Sequence, residues 1–184
     1  IQPTPRRLEG IVYNDNPSIE RIVFIGGLHR SGTTLLERLL SARYDVSYLR
    51  ADVPESEGQH MQTVFSPAIF HGGPGRFAFS KEMRDELNVL TDCSSCRKKL
   101  LSEWGQFVVD TAPTLLEKSP PNLTKIKWLR KVFPNSRFVI MARDPRAASG
   151  ATKKWSNTSL PELVAHWGAA YSQSIEDFDS GDCI

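Results

Sequence analysis

Hydrophobic residues follow two different periods along this chain, and the change between them marks its first structural unit. Residues 22–25 form a continuous apolar run rich in β-branched side chains, which is typical of a strand covered on both faces of a parallel sheet. Two glycines close the run, and beyond Thr33 leucines stand at positions 35, 36, 39 and 40. This leucine stripe predicts a helix that packs one face on the sheet. The pattern therefore predicts a strand, a glycine-rich loop and a helix in that order.

A second unit lies within residues 114–142. A short apolar segment leads to a helix predicted over 122–133, for which Ser119 is the expected cap. Residues 138–141 form another continuous apolar run, and the segment 137–141 predicts a second buried strand. The order strand, helix, strand implies a right-handed crossover between parallel strands. The expected fold class is therefore α/β, a P-loop-like, three-layer arrangement of a parallel sheet flanked by helices.

The last part of the chain predicts helices of amphipathic character. A short helix is expected after the Arg-Asp-Pro-Arg segment that ends at Arg146, and Ser159 with Glu162 forms a capping box for the final helix. A further helix is predicted over 81–101. Apolar and aromatic residues of the final helix keep helical spacing and are expected to face the core: Leu160, Leu163, Val164, Trp167, Tyr171, Ile175 and Phe178.

The N-terminal end of the chain shows no strand or helix signal. Residues 1–20 carry three prolines without any periodicity and predict a strap or linker. The domain proper is expected to span 21–184. The chain starts at Ile1 without an initiator methionine and stops just after a helical pattern, so we expect both ends to be cut and the C-terminal part of the domain to be missing.

Composition and charge narrow the range of functions. The chain has 184 residues, of which 40% are hydrophobic, enough for one domain with a buried core. Its 23 Lys and Arg residues nearly balance 21 Asp and Glu residues, which argues against a nucleic-acid backbone as the main partner. Cys93 and Cys96 form a single CxxC without a second pair, so no zinc site and no disulfide framework is predicted. Any anion that this chain binds must therefore be held by positive or hydrogen-bonding groups at its own site, because the overall charge is nearly neutral.

The loop after the first strand carries the strongest chemical signal. Residues 26–34 read Gly-Gly-Leu-His-Arg-Ser-Gly-Thr-Thr, and such a turn at the start of a helix presents backbone amides and the helix dipole to a phosphate. From Gly27 the spacing matches the nucleotide-triphosphatase loop except at Thr33, where that loop requires lysine. Arg30 supplies a cation two positions before Gly32 instead, and its planar guanidinium can bridge a phosphate and a transferred group.

Three other interpretations of this loop stay open at the level of residue types. Its glycines alone allow a tight strand-to-helix turn without any ligand. A P-loop-type small-molecule kinase would place the same loop around a triphosphate, but neither its lysine nor its magnesium-binding carboxylates are evident. A non-catalytic nucleotide-binding module is the third.

Several segments of the chain resemble one family. Residues 30–34, Arg-Ser-Gly-Thr-Thr, resemble the 5'-phosphosulfate loop of sulfotransferases that use 3'-phosphoadenosine 5'-phosphosulfate (PAPS), in particular the tyrosylprotein sulfotransferase type and its bacterial and plant-like relatives. Residues 133–149 resemble the strand and turn that bind the 3'-phosphate, and residues 117–120 resemble the lysine-bearing strand end between these two motifs. The similarity covers roughly residues 21–178 and implies a parallel sheet flanked by helices.

The resemblance implies a role for each matching residue. Arg30 would stabilise the charge on the bridging oxygen as sulfate leaves, and Lys118 would contact the moving sulfuryl group. Arg143 and Ser149 would hold the 3'-phosphate, although many members carry that serine at the position of Ala151 in this chain. The 5'-phosphosulfate would be held, together with Arg30, by Gly27, His29, Ser31, Gly32, Thr33 and Thr34.

Sulfuryl transfer to a hydroxyl also needs a general base. In the tyrosylprotein type this base is a glutamate in the loop after the second strand, and residues 52–60 are the corresponding stretch here. Glu57 is preferred, because residues 57–60, Glu-Gly-Gln-His, look like a motif of the bacterial and plant-like relatives. Glu55 and His60 stay as alternatives.

The implied activity is in-line transfer of a sulfuryl group from PAPS to an acceptor hydroxyl, which releases 3',5'-ADP and needs no metal. The acceptor stays open between a glycan, a peptide tyrosine and a small alcohol, and its binding walls are expected within residues 50–112. No window reaches the ~18 apolar residues of a membrane span, so none is predicted in this chain. The compartment is open between cytoplasm and Golgi lumen, and the oligomeric state is open as well.

Overall fold

The computed structural model describes residues 4–179 as an α/β domain built on one five-stranded sheet. The strand order is β3-β2-β4-β1-β5, and every pairing is parallel except that of β3 with β2. This confirms the predicted α/β class and the parallel pairing of the strands. The strands are β1 (Arg21–Gly27), β2 (Ser47–Leu49), β3 (Val108–Val109), β4 (Thr114–Lys118) and β5 (Arg137–Met141).

Helices flank this sheet and are interspersed with its strands along the chain. The α-helices of the described part are α1 (Thr33–Arg43), α2 (Lys81–Val89), α3 (Cys93–Gly105), α4 (Ile126–Val132), α5 (Pro145–Lys153) and α6 (Leu160–Asp179). Short 3-10 turns carry most of the irregular connection between β2 and α2, at Pro54–Ser56, Gly58–His60, Ala68–His71 and Phe77–Phe79. A further 3-10 turn, Pro120–Thr124, connects β4 to α4. Among residues 4–179 no helix has the length and apolar character that a membrane crossing requires.

Two clusters of buried apolar side chains hold the layers together. The larger one joins Ile22 and Phe24 of β1 to Trp104 of α3 and Leu129 of α4. The smaller one joins Leu28, directly after β1, to side chains of the connecting turns and of α6. Side chains of β1 belong to the first cluster and Leu28, directly after β1, belongs to the second. The strand that leads into the glycine-rich loop is therefore packed against both clusters.

The leucine stripe of α1 faces the sheet only in part, because Leu36 and Leu40 are half-buried whereas the other two leucines are exposed. Leu35 is 62% exposed and Leu39 is 59% exposed, whereas Thr33 and Glu37 are the buried residues of the helix. The reason is an ion pair: Arg50 lies just after β2, and its Nη1 donates to the Glu37 carboxylate at 2.8 Å. A buried carboxylate with such a partner is stable on the inner face of a helix.

The chain between β4 and β5 differs from the prediction of a single helix. The segment splits into the 3-10 turn Pro120–Thr124 and α4, with Lys125 between them in a non-helical conformation (φ −123°, ψ 7°). Ser119 makes no side-chain cap; its hydroxyl donates to Glu117 instead. The helix predicted over 81–101 is likewise divided, and α3 starts anew where Asp92 accepts a hydrogen bond from the Ser95 amide.

The strand β5 and the helix α6 agree with the prediction only in part. The Ser159–Glu162 capping box is present, since the Ser159 amide and hydroxyl both donate to the Glu162 carboxylate. However, β5 is an edge strand with Val139 37% exposed. The predicted core stripe of α6 is also only partly buried: Leu163 and Tyr171 are buried, but Leu160, Val164 and Ile175 are exposed.

Candidate active site

The parallel strands bring the predicted site residues to one edge of the sheet. Ile25 of β1 lies opposite Lys118 of β4, and Gly27 lies opposite Met141 of β5. The glycine-rich loop, Lys118 and the segment that begins beyond Met141 therefore leave the same end of the sheet. This end is where open α/β sheets bind their ligands.

The loop between β1 and α1 is shaped as an anion cradle. Arg30 and Gly32 both have left-handed backbone, with φ of 69° and 101°, and left-handed residues in such a turn help to point successive amides into one concavity. The Ser31 amide closes the turn by donating to the Leu28 carbonyl at 3.1 Å. Gly32 precedes α1 without any side-chain cap, so no side chain occupies the first amides of the helix. A side chain at Gly27 would lie 2.6 Å from the Met141 carbonyl.

Three later elements fix this loop from behind. The Tyr171 hydroxyl of α6 donates to the Met141 carbonyl at 2.5 Å and accepts from the Leu28 amide at 3.4 Å. Arg143, beyond β5, donates from Nη1 to the Arg30 carbonyl at 2.8 Å. The Thr152 hydroxyl of α5 donates to the His29 carbonyl at 3.4 Å. The cradle is thus held by contacts that span more than a hundred residues of sequence.

The Arg30 side chain lies at the surface. Its guanidinium carbon is 4.8 Å from the ring centroid of Trp155, which follows α5 and is exposed. A guanidinium over an indole face is a favourable cation–π arrangement. Trp155 is thus a neighbour of the predicted catalytic arginine that no motif of the sequence had indicated.

A buried carboxylate and a buried ammonium form the second half of the site. Glu57 Oε1 lies 3.7 Å from Lys118 Nζ, and both side chains are almost fully enclosed. Lys118 Nζ donates a hydrogen bond to the Glu55 carbonyl at 2.7 Å. Burial raises the pKa of Glu57 to about 7, although the nearby Lys118 charge opposes that shift. A carboxyl group with a pKa near neutrality suits proton transfer at ordinary pH.

The two alternative bases have different surroundings. The side chain of Glu55 is exposed, and it is the backbone carbonyl of this residue that accepts a hydrogen bond from Lys118. His60 places Nε2 3.9 Å from Glu57 Oε2, and burial lowers the pKa of its imidazole to about 4. His60 is therefore neutral near pH 7 and is a direct neighbour of Glu57.

Ser149 and His29 meet at a cavity of about 10 Å³, to which His166 and Leu163 of α6 also contribute. Ser149 is shielded from solvent, whereas Arg143 is exposed. The His29 Nδ1 atom is buried and has no hydrogen-bond partner among the described residues, and burial lowers the pKa of this imidazole to about 4. The structure thus places Ser149 and His29 on an enclosed surface behind the loop.

Residues that sequence reasoning missed lie beneath Glu57. Gln59 donates from Nε2 to Glu57 Oε2 at 2.5 Å. Glu117 is 1% exposed and accepts hydrogen bonds from Ser119 Oγ and Asn122 Nδ2, each at 2.6 Å. A glutamate directly before Lys118 in an otherwise apolar strand was the available signal, because a buried carboxylate requires partners.

The CxxC pair belongs to the hydrophobic core instead of a site. Cys93 and Cys96 are free thiols at the start of α3, and both pack in or against the larger core cluster. Burial raises the pKa of the Cys96 thiol, which disfavours its reactive thiolate form. Within residues 4–179 no group of His, Cys, Asp or Glu has an arrangement that would hold a metal ion.

A glycine-rich loop that opens a helix at the carboxyl ends of parallel strands is typical of α/β proteins that bind an anionic group. The sulfotransferase family has a sequence model that matches residues 22–181. The chain belongs to that family, which confirms the resemblance of its loop and strand motifs.

Proteins similar to this chain include several protein-tyrosine sulfotransferases. Protein-tyrosine sulfotransferase 1 of Homo sapiens is 30% identical over 128 residues, which cover 69% of this chain and 32% of that protein. The enzyme of the same name from Danio rerio is 30% identical over 170 residues, covering 86% of this chain and 45% of the relative. The Drosophila melanogaster protein-tyrosine sulfotransferase is 30% identical over 143 residues, 74% of this chain and 26% of the relative. The chain thus spans less than half the length of each of these relatives.

Proposed function

We propose that this chain carries the donor site and the general base of a sulfotransferase that moves a sulfuryl group from PAPS to an acceptor hydroxyl. The observation that supports this most directly is the shared sheet edge of the loop after β1 and the buried Glu57–Lys118 pair. One half offers amides and cations for an anion, and the other half offers a group for the acceptor's proton. Family membership supplies the reaction class.

The donor side is proposed to rest on the cradle and its two arginines. The amides at the start of α1, with the side chains of Ser31, Thr33 and Thr34, would hold the 5'-phosphosulfate. Arg30 and Arg143 are joined by the hydrogen bond from the Arg143 guanidinium to the Arg30 carbonyl, so two positive charges border the loop. When bound, PAPS supplies a sulfuryl group that its anhydride bond has already activated. Arg30 would offset the negative charge that develops on the leaving oxygen.

The acceptor side is proposed to rest on Glu57 and Lys118. With a pKa of about 7, the Glu57 carboxylate is partly ionised at neutral pH and still basic enough to take a proton from a hydroxyl. Lys118 lies within 4 Å of this carboxylate and would stabilise its ionised form. Because both groups are nearly enclosed, their interaction is weakly screened by solvent.

The first acceptor to examine is the phenol of a peptide tyrosine, because the relatives named above are protein-tyrosine sulfotransferases. A glycan hydroxyl and a small alcohol are the other acceptor classes. A screen with labelled PAPS against these three classes, with the full-length protein, would distinguish them by incorporation of label.

The donor assignment is tested by ligand-dependent thermal stability. We expect 3',5'-ADP at about 100 times its Kd to raise Tm by roughly 5–10 °C, since binding to the folded state alone stabilises it by mass action. ATP with magnesium should give a much smaller shift, because Thr33 stands where a triphosphate site needs lysine. A shift with ATP and magnesium alone would favour a kinase, and no shift with either nucleotide would contradict the proposal.

The role of Arg30 is tested by substitution. Arg30→Ala should lower kcat for transfer from labelled PAPS by roughly 100- to 1,000-fold, the usual cost of removing one group that stabilises developing charge. The Tm shift with 3',5'-ADP should be largely kept. Arg38→Ala, at an exposed position of α1, is the matched control and should transfer normally. Unchanged turnover in Arg30→Ala would remove Arg30 from the catalytic residues.

A further inference from the structure

Gln59 is a buried residue whose side-chain amide is fixed at both ends. Its Nε2 donates to Glu57 Oε2 at 2.5 Å, and its Oε1 accepts from the Ala68 amide at 3.0 Å. Only 3% of the residue is exposed. The amide thus cannot turn over without losing one of these bonds, so it presents an N–H donor to the Glu57 carboxylate in a defined direction.

The backbone of Gln59 is anchored to the sheet through a chain of buried hydrogen bonds. Its amide donates to Ser119 Oγ at 3.0 Å, and that hydroxyl donates to Glu117 at 2.6 Å. Glu117 in turn accepts from Asn122 Nδ2, which also donates to the Ile25 carbonyl at 3.2 Å. The segment that carries Glu57 is therefore tied to the ends of β1 and β4, the two strands that lead to the cradle and to Lys118.

The turn between Glu57 and Gln59 has no free space. A Cβ at Gly58 would overlap the carboxylate of Glu117, and the Gly58 carbonyl accepts from Trp104 Nε1 at 2.9 Å. The absence of a side chain at this position therefore allows the turn to lie directly on β4. Close packing of this kind fixes the position of the Glu57 carboxylate relative to Lys118.

We propose that Gln59 is a positioning residue, which aims the Glu57 carboxylate and favours its ionised form by donating a hydrogen bond to it. This inference rests on the proposed role of Glu57 as the base. It assigns to the third residue of the Glu-Gly-Gln-His segment a task that the motif alone did not reveal.

The charged groups around Glu57 act in opposite directions. Lys118 Nζ is 3.7 Å from Oε1 and favours the carboxylate, while Glu117 and Glu55 disfavour it. His60 lies 3.9 Å away and is neutral near pH 7, since burial lowers its pKa to about 4. Gln59 adds a neutral donor, and a hydrogen bond to the charged form lowers the pKa of a carboxyl group. Loss of this donor should raise the pKa of Glu57 further.

Gln62 provides a matched control in the same segment. It is 4% exposed, and its Nε2 donates to the carbonyls of Gln59 and Phe65 at 3.0 and 2.7 Å. Its Oε1 accepts from the amides of Val64 and Phe65 at 2.7 and 3.0 Å. Gln62→Met therefore removes buried amide hydrogen bonds from this segment without removing the donor to Glu57.

The direct test compares Gln59→Met with Gln62→Met by NMR titration of the ¹³C-labelled Glu57 carboxyl group. Both variants should have a lower Tm than the unsubstituted protein, because each loses buried hydrogen bonds. We expect the titration of Glu57 to move upward by about one pH unit in Gln59→Met only, because a charged hydrogen bond is lost there. If Gln59→Met does not fold, Gln59→Asn withdraws the same amide by one methylene and should shift the titration in the same direction. Equal titration in both variants would overturn the inference, whatever reaction the protein catalyses.

The kinetic test uses the acid limb of kcat/KM for transfer from PAPS. In Gln59→Met this limb should follow the NMR shift upward, kcat at pH 6.5 should fall roughly tenfold, and KM for PAPS should stay unchanged. An active enzyme whose acid limb does not move would show that Glu57 is not the base, and this would overturn the positioning role of Gln59 in the reaction. Absence of any transfer in the unsubstituted protein would contradict the proposed function separately, because the NMR titration needs no activity.

Discussion

At the scale of single residues, the properties of the site depend on which partners compensate for the desolvation of its buried carboxylates. Glu57 and Lys118 are enclosed together, so each charge has a partner, but the pKa of Glu57 still rises to about 7 because desolvation exceeds the attraction of Lys118. Glu117 is enclosed more completely and relies on two hydrogen-bond donors, Ser119 and Asn122. Glu57 thus lies next to the charge of Lys118. Glu117 instead links neighbouring segments of the backbone through its hydrogen bonds.

The raised pKa of Glu57 has a measurable effect on stability. The folded protein holds the proton of this carboxyl group more tightly than the unfolded chain, so between pH 4.5 and 7 the folded state binds more protons. Its free energy of unfolding therefore falls as the pH rises through this window. Glu57→Gln removes this loss, and its stability relative to the unsubstituted protein should rise by roughly 2–3 kcal/mol from pH 5 to pH 8.

Urea unfolding of both proteins at the two pH values measures this difference. The control is Glu9→Gln, which changes an exposed carboxylate outside the candidate site and should keep the pH dependence of the unsubstituted protein. A constant difference for Glu57→Gln as well would show that the folded protein does not hold the Glu57 proton more tightly than the unfolded chain does.

At the scale of elements, the sequence predicted what local patterns determine. The apolar runs around β1 and β5 and the Ser159–Glu162 capping box were placed correctly, since each depends on neighbours within a few residues. The inner face of α1 was predicted only in part, because it also holds Glu37, whose partner Arg50 lies outside the helix. Periodicity describes how a helix can be amphipathic, but tertiary partners decide which face is buried.

The same limit applies to the candidate site. Arg30, Lys118 and Arg143 could be proposed because they stand in recognisable motifs at strand ends. Gln59 could not, since its partners Ala68 and Ser119 are 9 and 60 residues away and no spacing rule connects them. Sequence patterns therefore indicated the charged candidates for the site but not the amide that is hydrogen-bonded to Glu57.

The corrected orientation of α1 leads to a test with two variants on the same helix. Leu39→Gln should change the free energy of unfolding by no more than about 0.5 kcal/mol, because Leu39 is 59% exposed. Glu37→Ala should cost roughly 1–3 kcal/mol, because it leaves Arg50 without its carboxylate partner. Chemical denaturation of both variants measures these values. The reverse order would support the original prediction that the leucines face the sheet.

At the scale of the whole molecule, the two edges of the sheet differ. On one side the chain before β1 covers β3: Tyr13 forms an antiparallel bridge with Val109, and the Asn14 amide donates to the Val108 carbonyl at 2.9 Å. On the other side β5 pairs with β1 alone within residues 4–179. Its outer backbone groups form no strand pairing in that part of the chain, and Val139 is 37% exposed there.

Because of this asymmetry, further strands can be added to the sheet at one edge only. A free strand edge is a template for main-chain hydrogen bonding, and in the described part of the molecule only β5 offers one of useful length. Any additional strand, from whichever chain it comes, would therefore be added next to Val139 and not next to the bridge at Tyr13. Such an addition would shield β5 and leave the glycine-rich cradle one strand further from the rim of the sheet.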